Sequence, residues 1–475
     1  MARVLEYLVA GEWRGPDAAR TRGVLDKYSG DVIAEWGNTP ASDIQECVES
    51  ARDRVGQLSP NDRFELLSKT AAALDDAAED FAQILVSEVG KTVREARVEV
   101  KSAVAAMRAA ADQSKQATGE VLPIAGNAGM ERHFAFSFLV PAGPVCAIVP
   151  FNSPLNISAH KMASAIAAGD AVVVKPSELA PIAVTRLAQL FERAGAPPGL
   201  VNVVSGDATV GRHLCSNEGF ARHSFTGSQS VARQVLASVG IRPVTLELGA
   251  AGPSIICGDA DVDHAVKRCI RASFGLAGQV CTSSQRLLVH ESVFEDFMSS
   301  FVKAAAALKL GDPREPDTDI GPMISLAAAE RAEQWLDEAV SLGAEVLTGG
   351  HHDGSLFEPT VVVGARPGMR IVDEEVFAPI ASLHAFRDVS EALQAANQSS
   401  GGLQAGVFTK DYGVALYFAR GLRVGAVLIN EASRFRVPNL PFGGVGSSGI
   451  GREGPKYAVE ALSDLRTVVL APPTG

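Results

Sequence analysis

Aromatic residues are scarce in this 475-residue chain, at 6%. Cysteines are few as well: Cys47, Cys146, Cys215, Cys257, Cys269 and Cys281, with no C-x-x-C pair among them. Scattered thiols in so long a chain exclude a disulfide framework and a finger-type metal site, and they read as reduced cysteines of a cytoplasmic protein. Basic blocks are absent. Lys+Arg number 43 against 55 Asp+Glu, a net charge of −12, so neither nucleic acid nor an anionic membrane is an expected partner. No apolar run approaches the roughly 18 residues of a membrane span. The opening stretch MARVLEYLVAGEWRG is interrupted by Glu6 and Glu12, so no secretion leader is expected there. Internal repeats and low-complexity tracts are missing too, and linker-like stretches are short, at 350–354 and 471–475. What remains is 47% hydrophobic residues over a length that allows about three domains.

The apolar residues alternate between two periods. Ser42-Asp-Ile-Gln45 reads as a capping box opening a helix with Ile44, Cys47, Val48, Ala51 and Val55 on one face. Pro60 to Val89 reads as one long amphipathic helix. Short β-branched runs follow at 145–149, 171–174, 201–204 and 244–248, separated by helix-length segments at 156–168, 181–194 and 229–239. A second such series runs through 254–257, 287–289, 405–408 and 426–429. Strand–helix alternation with continuous apolar strands predicts the α/β class, with two parallel-sheet units meeting near residue 247. The segment 131–140 alternates polar and aromatic residues and reads as a half-exposed strand able to pair with another chain.

Three motifs promise more than their context supports. Gly444-Val-Gly-Ser-Ser-Gly449 fits G-x-G-x-x-G, but it follows Pro441-Phe442 and leaves too little chain for a βαβ unit, so it reads as a flexible glycine loop. Gly90-Lys91-Thr92 resembles the end of a phosphate loop, yet Leu85 stands where its first glycine belongs. His351-His352-Asp353 reads as a solvated turn, and no other cluster has metal-ligand spacing, so no metal is expected.

Chemistry concentrates elsewhere. Cys281 follows a glycine turn and precedes Thr282-Ser283-Ser284, small neighbours that leave its sulfur approachable. An inert buried thiol is the alternative, and it is the reading for Cys146, Cys257 and Cys269. Asn152, between two prolines at a strand end, offers a fixed amide N–H for an oxyanion, or is simply a turn residue. Lys175 and Glu178 end the next strand, at the sheet edge where ligands bind, and could meet phosphate or ribose hydroxyls; an ordinary solvated turn is the alternative. Phe225-Thr226-Gly227-Ser228 opens a helix whose free N–H groups suit a pyrophosphate. Glu247 lies within an apolar strand, where it would titrate high and suit general-base work, unless a salt bridge holds it.

PFNSP, KPSE, FTGS, LELGA, GQVCTSSQR, EEVFAP and PFGGVGSSGIGREG stand in the order and spacing of the aldehyde dehydrogenase superfamily, and the chain resembles it over essentially its whole length. The resemblance implies a Rossmann-like dinucleotide domain (1–123 and 141–247), a catalytic domain (248–440) and a bridging oligomerisation element (124–140 and 441–475). It implies that the 124–140 strand pair and the 465–470 strand form the bridge of a dimer or tetramer. Cys281 then corresponds to the nucleophile and Glu247 to the residue activating the deacylating water. Asn152, with the Cys281 N–H, corresponds to the oxyanion hole, and Lys161 to a lysine near it. Lys175 and Glu178 correspond to adenosine-ribose contacts, Ser228 to the pyrophosphate contact, and Glu375 and Phe377 to nicotinamide contacts. The resemblance also implies that Pro150, Phe151, Ser177, Phe225, Thr226, Gly227, Leu248 and Gly249 line the cofactor groove. The implied cofactor is NAD, with NADP possible, because a carboxylate at 178 disfavours a 2′-phosphate. A general base at 247 implies the free acid as product.

Departures from the family pattern are Ala250 after Gly249, Gly446 in place of a lysine, and Val280 where relatives using phosphorylated aldehydes carry arginine. Ser153, Asn156, Ile157, His160, Phe274, Thr282, Arg434, Arg436 and Phe442 are candidates to line the substrate tunnel. Ser153, Asn156 and His160 make it polar, as in lactaldehyde-type bacterial members, and Arg434 or Arg436 could pair with a carboxylate, or be surface residues. The implied substrate is a small hydroxylated or anionic aldehyde. An aromatic aldehyde, for which a small Ser153 leaves room, is the alternative. A cofactor-free thiol esterase and a non-catalytic binding role are the readings from other classes.

Overall fold

The computed structural model describes residues 3–116 and 119–473. Two sheets organise it. The first has eight strands, in the order Gly449–Ile450, Val244–Leu248, Arg222–Gly227, Val145–Ile148, Val172–Lys175, Val201–Val203, Tyr7–Val9 and Glu12–Arg14. Its five central strands are parallel, and both margins are antiparallel. The second has seven strands, from Glu345–Thr348 through Ile380–Phe386, Ser284–His290 and Gly252–Ile256 to Ala426–Ile429, parallel but for its first pair. Each has its own buried core, the first containing Val172, Val173 and Val174 and the second Leu287, Val289 and Ala381. Continuous β-branched runs fit such strands because helices cover both faces.

The order of the first sheet places a ligand crevice. The chain winds from Val145–Ile148 outward to Val172–Lys175 and Val201–Val203. It then returns to pair Arg222–Gly227 on the other side of Val145–Ile148. Loops leaving these two strands diverge at their carboxyl ends, which opens the crevice where such sheets bind ligands.

Several sequence-based expectations need correction. Helix Ala41–Arg52 starts after Pro40 without a side-chain cap; Ser42 reaches only Asp43, and Val55 lies beyond the helix. A capping box does form, but at Ser59 and Asp62, opening helix Pro60–Asp76. The segment 60–89 is two helices, since Ala77 leaves helical geometry (φ −94°, ψ 18°) before Ala78–Val89 begins. The three-stranded antiparallel sheet consists of Glu120–Leu122, Phe134–Pro141 and Ser463–Leu470, so its first strand precedes residue 124 and only one strand lies within 124–140. Within 441–475, Gly449–Ile450 belongs to the eight-stranded sheet and helix Pro455–Leu462 packs on Pro154–Ala168. Residues 444–449 form two short strands, Val445–Gly446 and Gly449–Ile450, not a free loop.

Candidate active site

Asn152 follows the Val145–Ile148 strand, and Pro154 opens the next helix, so the backbone at 150–154 is closely held. Asn152 is buried, and its Nδ2 donates to the Gln279 carbonyl at 3.0 Å, tying the sheet edge to the segment that carries Cys281. Lys175, at the end of the adjacent strand, is buried; its Nζ donates to the Pro176 carbonyl at 3.1 Å and lies 3.8 Å from the half-buried Glu178 carboxylate. The Ser177 hydroxyl accepts from the Leu179 N–H. On the other side of the crevice, Ser228 caps helix Gln229–Val239. The Phe225 ring folds over Gly227, and the buried Thr226 hydroxyl has no protein partner. Leu248 ends the next strand, Gly249 follows it, and Gln229 donates to the Gly249 carbonyl at 3.1 Å.

Cys281 sits beyond an unusual turn. Helix Val262–Phe274 gives way to Leu276, Ala277 and Gly278, all with left-handed φ (54°, 49° and 69°). Such geometry strains non-glycine residues and persists only where surrounding structure enforces it. Gly278 is required, because a Cβ there would run into the Ala378 carbonyl. Gln279 is buried: its amide donates to the Leu276 carbonyl at 3.2 Å and accepts from the Ile324 N–H at 2.9 Å. The other five cysteines are buried, whereas Cys281 is half-buried and packs against Ala250, Leu403 and Phe442. Burial pushes its thiol up to about 12; Glu375, Glu247 and Glu453 act in the same direction and Arg436 opposes them. The sulfur therefore rests as a thiol at neutral pH.

Glu247 is buried with neither carboxylate oxygen hydrogen-bonded, and one of them lies against the backbone of Gly443. Burial raises it well above the usual carboxylate range, and charged Glu453 adds to the effect. Glu453 behaves oppositely. Burial alone would raise it too, but Lys161 at 3.0 Å and Arg436 at 3.1 Å outweigh burial and hold it at about 2. Lys161 also donates to Ser224 at 2.7 Å. Glu375 is pushed up to about 8 by burial, Arg331 opposing. Its Oε1 has no partner, and its carboxylate occupies the space that a Cβ at Gly249 would take. Phe377 also takes a left-handed φ of 53° and meets Phe151 edge-to-face at 5.9 Å.

The substrate candidates separate. Ser153 lies 3.4 Å from the buried Lys91 ammonium, which pairs with Glu99 at 2.5 Å. Asn156 gives its backbone N–H to Glu99, while its buried side-chain oxygen has no partner. His160 is buried and lowered to about 3, by burial first and by Arg436 and Lys161 after it, so its ring is neutral. Thr282 is buried, its carbonyl accepting from Ser433. Ile157 and Phe274 belong to the two hydrophobic cores, and Phe274 packs on Phe301 at 5.7 Å. Arg434 turns to Glu95, 3.3 Å away. Arg436 stacks on Phe442 at 3.8 Å beside Glu453. Sequence reasoning missed Lys91, Glu95, Glu99 and Glu453. The acids at 95 and 99 did carry a signal, the i, i+4 spacing on one helix, but the partners of Glu95, Leu276 and Arg434, lie far away in sequence. Among the described residues no metal-binding cluster occurs, and no helix is long and apolar enough to cross a membrane.

Residues 13–468 match the model of the aldehyde dehydrogenase family. The chain is similar to a 3-sulfolactaldehyde dehydrogenase of Priestia megaterium (strain ATCC 12872 / QMB1551), 40% identical over 99% of both chains. It is similar to a lactaldehyde dehydrogenase of Methanococcus aeolicus, 34% identical over 97% of this chain and 99% of that one. Among solved structures, aldehyde dehydrogenase 21 of Physcomitrella patens, in complex with its reaction product succinate, superimposes with a TM-score of 0.96. It is 33% identical, covering 99% of this chain and 98% of that one. Glyceraldehyde-3-phosphate dehydrogenase of Methanocaldococcus jannaschii, complexed with NADP, gives 0.92 at 36% identity, covering 95% and 100%.

Proposed function

This chain belongs to the aldehyde dehydrogenase family, and from that premise we propose that it oxidises a small polar aldehyde, hydroxylated or anionic, to the free acid. The observation that carries the reading is an approachable Cys281 under the influence of a buried, unpartnered carboxylate at Glu247.

The crevice residues fit a dinucleotide. Thr226 and Glu375 each keep a buried oxygen without a protein partner, and the glycine at 249 leaves room for the Glu375 carboxylate. Lys175 and Glu178 would take the adenosine ribose and Ser228 the pyrophosphate. Glu375 and Phe377 would take the nicotinamide end. Pro150, Phe151, Ser177, Phe225, Gly227, Leu248 and Gly249 would line the groove. Glu178 favours NAD over NADP, since a carboxylate repels a 2′-phosphate.

Addition begins with the Cys281 thiol surrendering its proton. Glu247, a carboxylate whose conjugate acid is held high, is the base suited to receive it. The sulfur bonds to the aldehyde carbon and the carbonyl electrons move to oxygen, where the Asn152 amide and the Cys281 backbone N–H donate to the oxyanion. Reforming the carbonyl releases hydride, for which the bound nicotinamide supplies the acceptor. The proton taken from the thiol passes from Glu247 to solvent, and the regenerated carboxylate then takes a proton from water. The hydroxide adds to the thioester carbon, the carbon–sulfur bond breaks, and the acid leaves. Lys161 and Arg436 keep Glu453 ionised, and its charge in turn keeps Glu247 high.

A polar substrate suits the walls: the Lys91 ammonium beside Ser153, the unpartnered oxygen of Asn156, and Arg436 on the Phe442 ring. The test compares kcat/KM for hydroxylated, carboxylated or sulfonated, plain aliphatic and benzylic aldehydes, with NAD and with NADP, following nicotinamide reduction. Preference for long plain aliphatic aldehydes rejects the substrate reading. Acyl hydrolysis without nicotinamide reduction rejects the mechanism.

A further inference from the structure

Arg434 stands in the same short segment as Arg436, yet it does a different job. Its guanidinium spans two elements, donating to the Arg271 carbonyl at the end of helix Val262–Phe274 (3.1 Å) and to the Glu95 carboxylate (3.3 Å). Glu95 rises from the first turn of helix Val93–Ser114, opened by Thr92, whose hydroxyl also contacts the Glu95 carboxylate. The same Glu95 oxygen accepts the backbone N–H of Leu276 at 2.9 Å. Leu276 is the first of the three left-handed residues that lead to Cys281. Gly275 leaves the space that Arg434 fills, since a Cβ at that position would collide with its guanidinium.

We propose that Glu95 and Arg434 are positioning residues that hold the strained 276–278 turn, and through it Cys281, in register with Asn152. Two left-handed non-glycine residues in a row relax toward ordinary geometry unless something outside the turn prevents it. Inside the turn, Gln279 bonds back to Leu276, and Asn152 bonds forward to Gln279. These contacts fix the turn's far end. Glu95 fixes its near end from another part of the fold, and Arg434 orients the carboxylate that does so. A displacement of about 1 Å at a nucleophile lowers turnover by up to about a hundredfold without changing substrate contacts.

The inference rests on Cys281 being the nucleophile, and the experiment separates the two. Steady-state kinetics, dinucleotide affinity and the rate of iodoacetamide modification at residue 281, located by mass spectrometry, are measured on the full chain. The five buried cysteines act as internal controls. Glu95→Ala is expected to lower kcat and the alkylation rate about tenfold or more, with aldehyde KM and dinucleotide affinity within about threefold. Glu95→Gln, whose amide oxygen still accepts from Leu276, should recover most of that loss. Gly275→Ala sets a Cβ into the Arg434 guanidinium and within 2.9 Å of the Glu95 oxygen that accepts from Leu276, so it disturbs both groups and should show the same defect. Wild-type kcat and alkylation in a folded Glu95→Ala protein, or a loss confined to KM, overturns the proposal. Should Glu95→Ala not fold, wild-type alkylation in Gly275→Ala overturns it instead. Oxidation that survives Cys281→Ser defeats the nucleophile reading itself. An inactive Cys281→Ser beside a fully active Glu95→Ala defeats only the positioning role.

Discussion

Glu247 and Glu453 share one buried cluster and titrate in opposite directions. The difference lies in their partners: Glu453 has two cations within 3.1 Å, while the oxygens of Glu247 have none. Two acids pushed apart in this way can divide an acid–base task, one staying charged and the other exchanging protons. Because Glu247 must be ionised to act and burial raises its conjugate acid, kcat should climb with pH above the usual carboxylate range and fall away as pH drops into it. Glu247→Gln should remove that limb and lower kcat by roughly a hundredfold to ten-thousandfold, with rate–pH profiles as the measurement. A flat wild-type profile would contradict the assignment. Arg436 can be tested in the same way. Arg436→Leu should raise KM for carboxylated or sulfonated aldehydes by about tenfold or more, a charged hydrogen bond being worth roughly 1.5–3 kcal/mol. KM for uncharged hydroxyaldehydes should change far less. Equal changes for both classes would place Arg436 outside substrate recognition.

Two serines make the same point for whole elements. Ser42 stands three residues before Gln45, in good sequence register for a capping box, yet the helix has already begun at Ala41 and the side chain caps nothing. Ser59 precedes Pro60 and bonds reciprocally with Asp62. Ser59→Ala should therefore cost about 1 kcal/mol of unfolding free energy, and Ser42→Ala close to none, as read by denaturant titration. An equal cost for the two would show that capping does not set where these helices start. The break at Ala77 belongs to this scale as well. Apolar periodicity runs through it, so a single helix is the natural reading, and only packing reveals that the chain turns there.

For the molecule as a whole, the three-stranded sheet is the exposed feature. Val121, Phe134, Leu465, Val469 and Leu470 are each about half exposed or more on it. An apolar, strand-edged surface of this kind pairs readily with another copy. We expect a dimer or tetramer in solution, and Leu465→Asp combined with Val469→Asp should shift it toward monomer in light scattering behind size-exclusion chromatography. A wild-type monomer would overturn the bridging reading of this sheet.

Sequence alone was enough for the α/β class, most central strands of both sheets, and a motif order that points to Cys281, Glu247 and Asn152. Those features are written in local apolar periodicity and in contiguous residues, so they survive without coordinates. Contacts across hundreds of residues decided the rest. Arg434 and Arg436 are two positions apart and look equivalent, but one reaches Glu95 at the far end of the chain and the other Glu453 nearby. Phe274 and Phe442 look alike as tunnel residues, but one is core and the other packs by the thiol. Which charge meets which, and how far burial shifts each acid, depends on distances that no spacing in the sequence encodes.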